Sequence, residues 1–192
     1  MSKQKTIYLI RHPETNAPDG VCYGRTNVLP SEQALLNAGQ KVKQKLKGIS
    51  TDACYSSPLS RCVLLAEQLT DSDKIITEEA LQEIDFAQWE MIPWSDIPTA
   101  QQQEWGNDFI NCKNHGGENF IDVQRRVVQF WNTLTQSAQQ EILIITHAGV
   151  IRALLSYLLD ASPQKIFAID IDYAAVIQIK WSNTEYYKLK FL

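Results

Sequence analysis

Two short apolar runs constrain this chain more than any other feature. Ile7-Tyr8-Leu9-Ile10 stops at Arg11-His12, and Pro13 then removes the backbone donor that a strand needs to continue. Ile142-Leu143-Ile144-Ile145-Thr146 stops in the same way at His147. Each reads as a buried strand, because an unbroken apolar, β-branched run suits a sheet covered on both faces. The chain has 3 histidines, and two of them stand where these strands run out. In open α/β sheets the carboxyl ends of the strands form the crevice where ligands bind. The two histidines are therefore expected to meet.

The rest of the chain alternates strand and helix signals. After a strand over 6–10 comes a loop to about Pro30, rich in Pro, Gly, Asn and Asp; loops of that length are often functional. Leu35, Ala38, Val42, Leu46 and Ile49 recur at helical spacing, with Gly48 as the stop and Ser31 or Asn37 as the cap. A short strand over 52–56 leads through Ser56-Ser57-Pro58 into a helix ending at Leu69, then a strand over 74–77. Residues 78 to about 110 show no clean period, contain Pro93 and Pro98, and read as irregular structure with short helices. A turn around Gly116-Gly117 precedes a helix with Phe120, Val123, Val127, Trp131 and Leu134 on one side. The strand over 142–146, a buried helix over 149–159, a short helix from Pro163 and a hairpin over 174–181 and 186–192, turning at 182–185, complete the pattern. This alternation predicts a three-layer α/β/α sandwich with a mostly parallel central sheet. The length of 192 residues fits one domain, with residues about 78–119 as a cap-like insertion over the site.

Composition narrows the function. A net charge of −4 gives no basic footprint for nucleic acid or a membrane surface. No apolar run reaches membrane-spanning length, and the apolar stretch before Arg11 is too short for a secretion signal. The 4 cysteines show no CxxC spacing and no neighbouring histidine pairs, so no metal is expected and reduced thiols in the cytoplasm are the default.

Parallel strands bring their ends to one edge. Arg11-His12, the turn that leads to Arg61, and His147 each follow a predicted strand. Two guanidiniums and two imidazoles in one place are costly unless an anion belongs there. A guanidinium fork suits phosphate oxygens, and the N–H groups of Ala148 and Gly149 at a helix start would add donors. The expected guest is the phosphoryl group of a small phosphorylated metabolite.

Five segments carry a family likeness. Arg11-His12-Pro13-Glu14-Thr15 resembles the RHGET/RHPET signature of the histidine phosphatase, or phosphoglycerate-mutase-like, superfamily. Ser57-Pro58-Leu59-Ser60-Arg61-Cys62 resembles its second-arginine turn, and Glu83-Ile84-Asp85-Phe86-Ala87-Gln88-Trp89-Glu90 its ExxFGxWE segment. Gly116-Gly117-Glu118 resembles GGES, and Thr146-His147-Ala148-Gly149-Val150-Ile151-Arg152 the second-histidine motif. Length and Trp89-Glu90-Met91 look most like the α-ribazole phosphatases of cobalamin assembly.

The resemblance implies a phosphoglycerate-mutase-like fold and a phosphomonoesterase that needs no cofactor. It implies that His12 is the nucleophile, with Nδ1–H held by a backbone carbonyl and Nε2 free. Arg11, Arg61 and His147 would bind the phosphoryl oxygens, and Glu83 would be the general acid. Arg25, in Tyr23-Gly24-Arg25-Thr26, is a candidate substrate contact. Trp89, Trp94 and Trp105 are candidates to stack on an aromatic base, with packing as the plainer reading. His115 is expected to be exposed in its turn. Pro18 falls where the family's phosphate-contacting Asn lies, with Asn16 nearby, and Ala87 replaces a family Gly. A broad phosphatase, a mutase and a non-catalytic phospho-ligand binder are the competing readings. No extra basic cluster stands near the motifs, so hydrolysis is favoured over mutase chemistry.

Overall fold

The computed structural model describes residues 4–183 and 186–192. In chain order the elements are β1 (Lys5–Arg11), β2 (Val21–Cys22), α1 (Glu32–Lys45), β3 (Ala53–Ser56), α2 (Ser60–Leu69) and β4 (Ile75–Thr77). They continue with β5 (Ile92–Pro93), α3 (Thr99–Asn107), α4 (Phe120–Gln136), β6 (Glu141–Thr146), α5 (Ala148–Leu158), α6 (Pro163–Ile166), β7 (Val176–Asn183) and β8 (Tyr186–Phe191). Six strands form one sheet in the order β4-β3-β6-β1-β7-β8. The first four run parallel, and β7 and β8 add an antiparallel edge. The fold is thus α/β with a mostly parallel central sheet.

Strand alternation sorts the core onto two faces. Ile7, Leu9, Ile142, Ile144, Ile177 and Ile179 point towards α4 and α5, where Val127, Trp131, Ile151 and Leu154 meet them. Tyr8, Ile10, Leu143 and Ile145 point the other way, onto Val42 of α1 and Cys62 and Leu65 of α2. A period of two on strands buried from both sides leaves no polar position, which is why these runs are unbroken. Helix ends are set by side chains. The Ser31 hydroxyl accepts from Ala34 N–H at 3.1 Å, so Ser31 is the cap of α1. Asn119 and Asp122 form a reciprocal capping box at the start of α4. Of the hairpin turn expected at 182–185, Ser182 and Asn183 continue β7, while Thr184 and Glu185 lie outside the described residues.

The segment after β4 consists of 3-10 turns, the two-residue β5 and α3. It is tied to the long loop after β1 by pairing of β5 with β2. No sequence period announces strands this short. Trp89 packs against Cys22 and Ile97 behind this contact. Ala87 in the same segment has φ +41°, the left-handed region that costs an L-residue about 1–2 kcal/mol. Ala87→Gly is therefore expected to raise stability by about 0.5–1 kcal/mol, after allowing for the greater freedom of glycine in the unfolded chain. A urea-unfolding midpoint that fails to rise would show that the strain is absent.

Candidate functional site

Strand register builds the site. Arg11 pairs with Thr146 across β1 and β6, and Ser56 pairs with Ile145 across β3 and β6. The next residues of β1 and β6, His12 and His147, therefore emerge side by side at the carboxyl edge of the sheet, and Ser57, the next residue after β3, lies level with Thr146 one step behind. Backbone bonds extend the ladder by one step, from His12 N–H to Thr146 O at 2.9 Å and from Ser57 N–H to Ile145 O at 2.9 Å.

The four groups singled out from the sequence come together here. The rings of His12 and His147 lie 5.0 Å apart between centroids. His12 Nδ1 donates to Pro13 O at 2.6 Å, which leaves its Nε2 unprotonated. Arg61 is fully buried and donates to His147 Nδ1 at 3.3 Å, Thr26 O at 2.8 Å and Gly24 O at 2.6 Å. With its Nδ1 an acceptor, His147 donates from Nε2 to Ser57 Oγ at 2.8 Å. Arg11 donates to Ile171 O at 2.6 Å, and its Nε–H is buried without a partner among the described residues. An orphaned guanidinium donor beside a nucleophilic nitrogen suits an incoming anion.

Arg11 and His12 line a cavity of about 260 Å³, whereas Arg61 and His147, both fully buried and bonded within the protein, stand behind His12 and do not line it. Glu83, Ala148 and Gly149 also line it. The N–H of Ala148 opens α5 and so has no acceptor within the helix. Glu83 Oε2 accepts from Gly149 N–H at 3.3 Å, and a Cβ at Gly149 would overlap the carboxylate. Five aromatic side chains, Phe86, Trp94, Trp105, Phe109 and Phe167, also line the cavity. Trp94 and Trp105 thus face the cavity, whereas Trp89 is only 3 % exposed and belongs to the packing beneath it.

Other residues stand apart. Arg25 does not line the cavity; it is drawn to Glu118 at 3.0 Å and to the carbonyl of Glu83 at 3.2 Å, which satisfy its guanidinium away from the anion site. Asn16 is exposed and likewise outside the wall. His115 is buried, not exposed: its Nδ1 accepts from Gly117 N–H at 3.1 Å and its ring packs on Phe86 and Trp89. Sequence reading gave no role to Tyr173, whose ring lies 3.8 Å from the Arg11 guanidinium carbon and 5.7 Å from the His12 ring centroid. An isolated Tyr in a loop carries no signal of that kind. Among the described residues no group of three or more His, Cys, Asp or Glu could hold a metal ion. No helix there is long and apolar enough to cross a membrane.

Burial, reinforced by the charges of Arg61 and Arg11, holds the His12 imidazole well below the ordinary histidine range. His147 is lowered in the same way, first by burial and then by His12 and Arg61. Both are neutral near pH 7. The unfolded chain binds protons near pH 6.5 that the native state refuses, so this stability is present above that range and lost as pH falls through it. Each of the two imidazoles is expected to contribute a slope of about 1.4 kcal/mol per pH unit below about pH 6.5. Urea unfolding between pH 8 and 5 measures it; His12→Ala should remove one such slope, and an identical pH dependence in that variant would contradict the assignment.

The description "Histidine phosphatase superfamily (branch 1)" belongs to a family model that matches residues 7–191. The adenosylcobalamin/alpha-ribazole phosphatase of Escherichia coli is 27% identical over 173 residues, covering 86% of this chain and 85% of that protein. Phosphoserine phosphatase 1 of Hydrogenobacter thermophilus is 25% identical over 176 residues, covering 88% and 83%. Among solved structures, the alpha-ribazole phosphatase from Shigella flexneri superposes with a TM-score of 0.87 at 25% identity, covering 97% of this chain and 95% of that one.

Proposed function

Because the chain belongs to the histidine phosphatase superfamily, we propose that it is a phosphomonoesterase working through a phosphohistidine on His12. The lone pair of His12 Nε2 attacks phosphorus while the P–O bond to the leaving group breaks. Glu83 gives its proton to the departing oxygen and becomes a carboxylate. That carboxylate then takes a proton from water; the water oxygen bonds to phosphorus, the N–P bond breaks, and its electron pair returns to Nε2. Arg11 and the Ala148 N–H stabilise charge on the transferred group by direct contact, and Arg61, held behind His12 through His147, adds fixed positive charge at longer range. The guanidiniums supply that charge, so the reaction needs no metal. Residues 78–119 form the cap of a single catalytic domain and supply much of the aromatic lining.

For the substrate, the carrying observation is that the cavity lining is divided between the cationic and imidazole groups of Arg11 and His12 and the aromatic rings of Phe86, Trp94, Trp105, Phe109 and Phe167. That division fits a phosphomonoester whose alcohol bears a flat apolar ring. α-Ribazole 5′-phosphate, with its dimethylbenzimidazole, matches it, and its hydrolysis to α-ribazole and phosphate belongs to cobalamin nucleotide-loop assembly. One observation favours phosphoserine instead. Arg152 lines the same cavity, has an unpartnered buried Nε, and makes no ion pair within 4.0 Å among the described residues, so a carboxylate would suit it. The test is a phosphatase panel in excess EDTA with α-ribazole 5′-phosphate, phosphoserine and p-nitrophenyl phosphate. The expected result is metal-independent turnover with the highest kcat/KM for α-ribazole 5′-phosphate. Preference for phosphoserine would remove the ribazole assignment, and no turnover of any monoester would favour a phospho-ligand binder.

A further inference from the structure

Residues 83–86 carry the proposed general acid but belong to no helix or strand. Their position is set from outside. The carbonyl of Glu83 accepts from two guanidiniums, Arg25 Nε at 3.2 Å and Arg126 Nη2 at 3.1 Å. Glu118 joins these cations. It meets Arg25 Nη2 at 3.0 Å and Arg126 side-on, with Nε to Oε1 and Nη2 to Oε2 both at 3.0 Å. Its Oε2 also accepts from Asp85 N–H at 3.2 Å. Gly117 makes this approach possible, since a Cβ there would overlap the carbonyl oxygen of Asp85. Arg126 is anchored in turn on Ala80 O at 2.7 Å.

From this network, and resting on the reading of Glu83 as general acid, we infer that Arg25, Glu118 and Arg126 clamp the main chain of Glu83 so that its carboxyl meets the leaving-group oxygen. None of the three lines the cavity, so they are positioning residues. Exposed ion pairs contribute little, but the side chains of Glu118 and Arg126 are only 20% and 17% exposed, and the pair is bidentate. Proton transfer requires the donor within hydrogen-bond reach of one particular atom. A coil segment cannot hold that geometry without external fixation.

A general acid matters most when the departing oxygen is strongly basic. Single-turnover phosphorylation of His12 is therefore compared for an alkyl phosphate, β-glycerophosphate, and for p-nitrophenyl phosphate, whose phenolate leaves with little help. The variants are Glu118→Gln, Arg25→Lys and Arg126→Lys, with Glu83→Gln as reference. Glu83→Gln should slow the alkyl substrate by about 10²–10⁴-fold and the aryl substrate far less. The clamp variants should slow the alkyl substrate about tenfold or more and the aryl substrate less than about twofold, on the same selective pattern. Aryl turnover near that of the unaltered protein doubles as the control for folding. Should Arg126→Lys not fold, Glu118→Gln, which keeps size and shape, decides the matter alone. Equal losses on both substrates, or none, would overturn the clamp while a selective Glu83→Gln leaves the acid intact. If Glu83→Gln itself shows no selectivity, the acid and the clamp fall together.

Discussion

His12→Ala is expected to lower turnover of p-nitrophenyl phosphate by about four to six orders of magnitude, with the fold retained. The size of the effect follows from covalency. On the proposed mechanism, no phosphohistidine forms without Nε2, and what would remain is the help of the fixed positive charge of Arg11 and Arg61 to direct attack by water. The fold should survive, because β1 keeps its pairing with β6 and β7 and the substitution removes a neutral imidazole that bonds mainly to Pro13 O. Rapid denaturation of the unaltered protein during turnover should trap an acid-labile, alkali-stable phosphoryl group, and the variant should trap none. Near-normal turnover by His12→Ala would remove the phosphohistidine mechanism altogether.

The second large effect is expected at Arg61. Arg61→Met should cost about 3 kcal/mol or more of stability, since it strands the carbonyls of Gly24 and Thr26 and the acceptor nitrogen of His147 in a buried site. It should also cut kcat/KM about 10²–10³-fold, by removing fixed positive charge from behind the phosphoryl site and releasing the loop that carries Tyr23. Urea unfolding and steady-state kinetics, run where the variant is more than about 99% folded, separate the two losses. Arg61→Lys should recover little of either, because one ammonium cannot span three acceptors placed for a planar fork. A variant with unchanged stability would mean that these carbonyls find water instead.

Much of this was legible in the residues alone, and the reason differs from place to place. Ile7 to Ile10 and Ile142 to Ile145 declare themselves because every position on a doubly covered strand is apolar. Helices α4 and α5 declare themselves by period and by burial on nearly every side. Segments without a period stayed opaque. The pairing of β2 with β5 rests on two residues per strand, and neither run differs from ordinary loop. His115 misled because glycines beside a histidine describe an exposed turn, whereas Phe86 and Trp89 close over its ring.

The line of apolar runs, turn residues and strand-end cations was enough to place Arg11, His12, Arg61 and His147 at one edge, because burial pattern and chain direction are local properties. Which arginine keeps a donor free for a ligand was not local. Arg11 keeps an unpartnered donor beside His12, while Arg25 is neutralised by Glu118 from a distant segment. A guanidinium's role is set by the acceptors that surround it, and here those acceptors are assembled only when separate stretches of chain pack together.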